Sequence, residues 1–222
     1  MHIEPASGSK GKVFIRTASH LESLKKQLDE MADHFLSCIQ EKKYWGYHNL
    51  IRYLKVLNVN GKALFSCGAG RGYVCIGVDG DIFPCHRFVG NQKFKMGNVV
   101  SDFYEPGVEK YLTEEIGISA RDSCKSCWAR YLCGGDCYAA AEEINNDIKI
   151  PDQAKCELNK HLIDLSLMLY SQIPKAEKAE IEKIFGLPQP KKREENPQPA
   201  ENTEAPQVQP QIEHYDVSVD RR

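Results

Sequence analysis

Residues 124–137 read CKSCWARYLCGGDC, which is Cys124-x2-Cys127-x5-Cys133-x3-Cys137. Four thiols so close together must either fill a core or converge on a metal. The residues between them argue for metal. Gly134-Gly135 supplies a tight turn between Cys133 and Cys137. It also frees backbone N–H groups to face an anion, as in backbone nests. The chain holds nine cysteines, and all but Cys38 lie between residues 67 and 156. Thiolates are soft ligands that suit zinc or iron–sulfur clusters.

The surroundings narrow the setting. Net charge is −2, so bulk electrostatics offers nothing to nucleic acid or an anionic membrane surface. Apolar stretches are short and broken by charge, so no membrane span is expected. The start, MHIEPASGSK, has no apolar run after a basic residue and does not read as a secretory signal. A cytoplasmic, reducing location follows. Clustered cysteines there more often ligate metal than form disulfides.

Working outward, the fold class reads as α+β. Leu21, Leu24, Leu28, Met31, Phe35 and Ile39 recur at helical steps and predict a helix over Ser19–Gln40. Ser19 with Glu22 fits a capping box. A second helix is expected over Tyr47–Leu57, ended by Asn60-Gly61. Residues 73–84 turn β-rich, with Asp79-Gly80 as a two-residue hairpin turn and Pro84 closing the return strand. Residues 88–122 give a weak signal, read as loop with one short helix at Val108–Leu112. Helices are expected over 137–146 and 152–172. The latter is capped by Asp152 and carries Leu158, Leu162, Leu165 and Met168 as its core stripe. A short helix over Lys175–Phe185 ends at Gly186. Six of the eleven prolines fall in residues 188–222, among Glu, Gln and Asn. Such a segment reads as a disordered tail. The expected divisions are 1–60, a remnant and helical linker; 61–172, the cysteine-rich domain; 173–187, a short helix; and 188–222, the tail.

Cys-x2-Cys pairs alone are more often zinc sites. Seven cysteines (Cys67, Cys85, Cys124, Cys127, Cys133, Cys137 and Cys156) are one short of two four-cysteine zinc sites. A simple ferredoxin run is denser than this one. The full series is Cys67-x12-Gly80-x4-Cys85, then Cys124-x2-Cys127-x5-Cys133-x3-Cys137, then Cys156. It resembles, at every element, the signature of the SPASM domain, the C-terminal auxiliary iron–sulfur domain of radical SAM peptide maturases. CGAGRGY, GDIFPCHRFVG, KMGNV and CGGDC are similar to words in maturases of thioether peptides and of quinohemoprotein amine dehydrogenase. The likeness covers about residues 67–169. Glu4-Pro5 and the helices after it resemble, more weakly, the end of a radical SAM barrel and its linker.

The resemblance implies a small domain with a β-hairpin and helices around two [4Fe-4S] clusters. Cys124, Cys127, Cys133 and Cys156 would hold one. Cys67, Cys85 and Cys137 would hold the other, and Cys75 is a candidate fourth ligand. The alternatives for Cys75 are a small core residue, with an open iron position at the site. Cys156 falls in the first turn of a helix, whose dipole favours an anionic group. Cys38 reads as core. His86, Arg71 and Arg87 read first as exposed or solvated neighbours, with contact to a cluster or substrate the alternative. Trp128 and Tyr131 are expected to cover the four-cysteine site.

No catalytic residue is assigned. The Cys-x3-Cys-x2-Cys triplet of SAM cleavage is missing, because position 140, after Cys133 and Cys137, is Ala140. S-adenosylmethionine would enter only with a separate barrel of about 200 residues. The expected partners are such a barrel chain and a precursor peptide or protein. The chain then reads as a truncated or split product or a free-standing module. The competing functions are an electron carrier or adaptor acting alone, and a structural zinc protein.

Overall fold

Leu28, Ala32, Phe35 and Ile39 form one buried stripe on the first helix, α1 (Ala18–Gln40), with Leu21, Leu24 and Met31 half-buried beside it. This comes from a computed structural model, which describes residues 3, 18–43, 46–101, 103–105, 107–108, 116–174 and 177–179. The expected N-terminal remnant, most of the helices at Val108–Leu112 and Lys175–Phe185, and the tail 188–222 lie outside the described residues. The chain divides into residues 1–187 and 188–222, and every described element lies in the first.

Helix α1 starts one residue before Ser19. Ser19 is therefore inside the first turn and not at the N-cap that a capping box needs, and Glu22 pairs with Lys25 at 3.0 Å. Helix α2 (His48–Asn58) follows, with Leu50, Ile51, Tyr53 and Leu54 buried. Asn60, at φ +48°, turns the chain out of it.

The sheet grows from the hairpin. Strands β1 (Cys75–Ile76) and β2 (Asp81–Phe83) pair antiparallel, Cys75 opposite Phe83 and Ile76 opposite Ile82. The connection is four residues long, not two. Gly77 N–H donates to the Asp81 carbonyl at 2.8 Å, and Gly80 N–H to the Gly77 carbonyl at 3.0 Å. Asp79 stands inside this loop, its carboxylate accepting from Asp81 N–H at 3.1 Å. Beyond β2 the sheet continues through β3 (Gly97–Asn98) and β4 (Phe103–Tyr104), giving the antiparallel order β1-β2-β3-β4. The sequence predicts loop at β3 and β4. Two-residue strands built on Gly97 and Asn98 carry almost no β signal of their own.

Two short helices, α3 (Asp122–Lys125) and α4 (Arg130–Cys133), frame the cysteine-rich turn. Helix α5 (Tyr138–Asn145) follows, its alanines Ala139, Ala140 and Ala141 buried. The last described long helix, α6 (Gln153–Gln172), is capped by Asp152, whose side chain accepts from Ala154 N–H at 3.0 Å. Leu158, Leu162 and Leu165 are buried as expected. Met168 is not, at 37% exposed. Ile163, Ser166 and Leu169 take the core face, and the Ser166 hydroxyl donates to the Leu162 carbonyl at 2.7 Å.

Helices α1, α2 and α6 share one core, which also holds Ala129 and has Cys127 and Cys133 packed against it. The second core joins the sheet to α5 through Phe83, Cys85, Phe88, Phe94, Met96, Ile116, Tyr138, Ala139 and Ile148, with Cys137 at its margin. The α+β class is as expected. Cys127 and Cys133 pack against the first core, while Cys85 belongs to the second and Cys137 borders it.

Candidate functional site

The turn 124–137 is ordered by its own backbone. Cys127 N–H donates to the Cys124 carbonyl at 3.1 Å and Arg130 N–H to the Cys127 carbonyl at 3.2 Å. Gly134 ends α4 in the left-handed region at φ +73°, and Gly135 follows at +94°. Only glycine suits both. A Cβ on Gly134 would run into the Phe65 carbonyl, and one on Gly135 would stand 3.0 Å from Arg121 Nη1. Cys156 comes from the first turn of α6, its N–H donating to the Asp152 carbonyl at 2.9 Å.

The thiols fall into two electrostatic neighbourhoods. Cys133 is pushed up to about 11 by burial, with Asp136 and Cys124 adding to the shift. Cys156 is pushed up to about 12 by burial, and Asp136, Cys133 and Cys124 add to it. Burial also raises Cys124, which feels Cys127, while Arg121 acts the other way. Lys160 faces both Cys127 and Cys156. Cys124, Cys127, Cys133 and Cys156 are thus neighbours.

The second neighbourhood contains Cys67, Cys85 and Cys137. Burial raises Cys85, and Cys137 and Cys67 add to it. Tyr73 joins them. Its phenol is pushed up to about 12, first by burial and then by Cys67, to which it hydrogen-bonds, with Cys85 and Cys137 contributing. Arg87 donates to the Cys137 sulfur at 3.3 Å and pairs with Glu143 at 2.6 Å. Arg71 donates to the Cys67 carbonyl at 2.5 Å and lies over the Phe65 ring at 3.5 Å. Arg87 is therefore at a thiol, and Arg71 at the backbone of Cys67. His86 is exposed at the rim. These three thiols line a cleft of about 1100 Å³, whose other walls include Ser23 and Gln27 of α1, Asn49 of α2 and Asn159 of α6.

Cys75 enters neither set. Its thiol is half-buried and points to the Ile76 carbonyl at 4.0 Å. Cys38 is half-buried beside His34 at 3.5 Å, so it sits at the edge of the core and not within it. Trp128 is 54% exposed and Tyr131 39%, the latter with Arg130 and Lys62 over its ring.

Sequence reading misses Arg121, Asp136 and Tyr73. Arg121 is 1% exposed and Asp136 4%. Burial raises the Asp136 carboxyl. The only signal is position, three residues before Cys124, between Cys133 and Cys137, and six after Cys67.

Thiols are the donors that an iron–sulfur group takes. All nine cysteines are free thiols. Arg121 Nε is buried with no hydrogen-bond partner, a cationic group facing a set of potential anions. Among the described residues no three His, Cys, Asp or Glu side chains close tightly enough to hold one metal ion. Four sulfurs on one zinc would stand about 3.8 Å apart, given Zn–S bonds of about 2.3 Å.

No family model matches the chain, and no curated protein matches it. Solved structures do. anSMEcpe, an anaerobic sulfatase-maturating radical SAM enzyme with a SPASM domain, is similar in its histidine-tagged form with bound AdoMet, at a TM-score of 0.53 and 17% identity. That match covers 81% of this chain and 48% of the other. The native form with bound AdoMet gives 0.53 and 15%, covering 75% and 45%. The native form with AdoMet and the Kp18Cys peptide gives 0.50 and 18%, covering 77% and 48%. At these identities the likeness is one of fold alone. The chain spans about half the length of these radical SAM/SPASM structures. No described helix is long and apolar enough to cross a membrane.

Proposed function

We propose that the chain binds two auxiliary [4Fe-4S] clusters as the SPASM part of a radical SAM peptide-modifying enzyme. Cys124, Cys127, Cys133 and Cys156 hold one. Cys67, Cys85 and Cys137 hold the other, with Cys75 or an open iron position completing it. The observation that carries this reading is how the thiols divide. Cys137 follows Cys133 by four residues yet lines one cleft with Cys67 and Cys85. A single-site module has no use for that crossing.

When bound, such clusters supply one-electron transfer. The chain's residues supply the rest. Burial around Cys133 and Cys156 excludes water, and Arg87 steadies the Cys137 sulfur. The cleft beside the three-thiol site gives a precursor peptide a place to lie. The peptide-containing structure among the similar folds supports that partner. Cleavage of S-adenosylmethionine belongs to a separate barrel, since these 222 residues lack Cys-x3-Cys-x2-Cys. The setting is reducing and cytoplasmic, where nine free thiols persist.

The test is anaerobic reconstitution of the full chain, followed by iron, sulfide and zinc analysis. About eight irons with matching sulfide are expected, as for two clusters on cysteine. Stoichiometric zinc without sulfide would sink the reading.

A further inference from the structure

Arg121 is a cation almost sealed from water, at 1% exposed. Its Nη1 donates to the Asp136 carbonyl at 3.3 Å, its Nη2 to the Ile148 carbonyl, and its plane lies 4.8 Å from the Tyr138 ring centroid. Nε has no partner. Among the described residues no carboxylate forms an ion pair with it. The nearby Asp136 carboxylate accepts from Asp152 N–H at 3.3 Å and has Lys155 as its cationic neighbour. A guanidinium does not shed its proton inside a protein. Burying it is costly unless an anion stands close. Two carbonyls and a ring offset only part of that cost.

The chain keeps room for this cation at a cost elsewhere. Gly135 is at φ +94°, and the Arg121 guanidinium occupies the space a side chain there would need. The group whose charge can balance it is the neighbouring set of four thiols: Cys124 N–H donates to the Arg121 carbonyl at 2.9 Å, and Cys133 Sγ donates at 3.2 Å to the carbonyl of Gly135, the glycine against the guanidinium.

We propose that Arg121 is the fixed counter-charge of the Cys124–Cys127–Cys133–Cys156 site, a positioning residue balanced only when those sulfurs are thiolates on a bound centre. This rests on the proposed ligand set. Two effects result. Loading the site stabilises the fold by more than the new bonds alone, because it also relieves a buried unpaired charge. In addition, the cation favours the more negative, reduced state of the centre, which raises its reduction potential.

The test compares the full-length chain with Arg121→Met, which keeps the length of the side chain and removes its charge, and Arg121→Lys, which keeps the charge. Each is melted before and after anaerobic reconstitution, and the loaded forms are titrated electrochemically. The expected result is a smaller rise in Tm on loading for Arg121→Met than for wild type. One couple should also move to a more negative potential, the couple that disappears in Cys156→Ala. Arg121→Lys should restore most of both. Equal loss of Tm in the empty and loaded Arg121→Met protein, with unmoved potentials, would mark Arg121 as a packing residue and overturn the proposal. If Arg121→Met does not fold, Arg121→Gln, which is also uncharged and can still hydrogen-bond, takes its place and is read by the same two outcomes. If wild type takes up zinc and no sulfide, the cluster reading fails. The loading difference is then read with zinc, whose four-thiolate site is also anionic, and the counter-charge stands or falls separately.

Discussion

Gly134 shows how much one residue fixes here. Its left-handed φ of +73° and the Phe65 carbonyl against it leave no room for a side chain. Gly134→Ala should cost about 1–3 kcal/mol, the usual range for strain of this kind. The readout is the urea midpoint of the empty chain, and an unchanged midpoint would show that the turn relaxes freely. Cys75 makes the opposite case, a half-buried cysteine whose thiol points to the Ile76 carbonyl. Cys75→Ala should leave iron content at the wild-type level, while Cys67→Ala loses about half of it, as expected if one of two clusters depends on Cys67. Equal loss from both variants would make Cys75 a ligand. The seven proposed ligands are what the resemblance implies, and the cysteine spacing that carries the resemblance is legible in the sequence. Arg121 and Tyr73 are not, because nothing in the chain's order says which way their side chains turn.

Among the elements, the sheet depends on polar pairs more than on strand length. Asp81 opens β2 and is 5% exposed. Lys95 at 2.5 Å and Asn98 at 2.6 Å hold its carboxyl below the ordinary 3.8. A carboxyl with a lowered folded pKa gives stability that is full above its unfolded value and fades as pH falls through the folded one. The stability of the chain should therefore drop below about pH 3.8 more steeply in wild type than in Asp81→Asn, whose stability is lower at neutral pH but flatter in acid. Melting curves across that range check it, and parallel pH profiles would remove Asp81 as a cause. This pairing also explains why β3 is invisible in the sequence. Asn98 is there to hold the loop, accepting from Val100 and Ser101 N–H at 2.8 and 3.0 Å and donating to Asp79 and Asp81. The hairpin and the long helices are legible because they carry their own periodicity. Met168 falls on the wrong side because α6 faces two helices, and the stripe rotates toward Ile163 and Leu169 to meet them.

For the molecule as a whole, α6 joins structure to site. Its first turn carries Cys156, and its next turns carry Leu158, Leu162, Leu165 and Leu169 into the core shared with α1 and α2. His161 binds Asp29 of α1 at 2.7 Å, and Tyr53 of α2 donates to Asn159 at 3.3 Å. Residues on both sides of the proposed division at residue 60 draw on the same core. Unfolding of that core must then carry Cys156 away from Cys124 and Cys133. Leu162→Ala removes a buried side chain and should cost about 2–5 kcal/mol. It leaves every proposed ligand in the chain, yet cluster absorbance in the reconstituted variant should bleach at the same lowered temperature at which helical circular dichroism is lost. Coincident transitions are what one cooperative unit gives. Bleaching that stayed at the wild-type temperature while the helices melted earlier would mean that the thiol sites are held by the cysteine-rich turns alone. The shared core would then be a support for something other than the site.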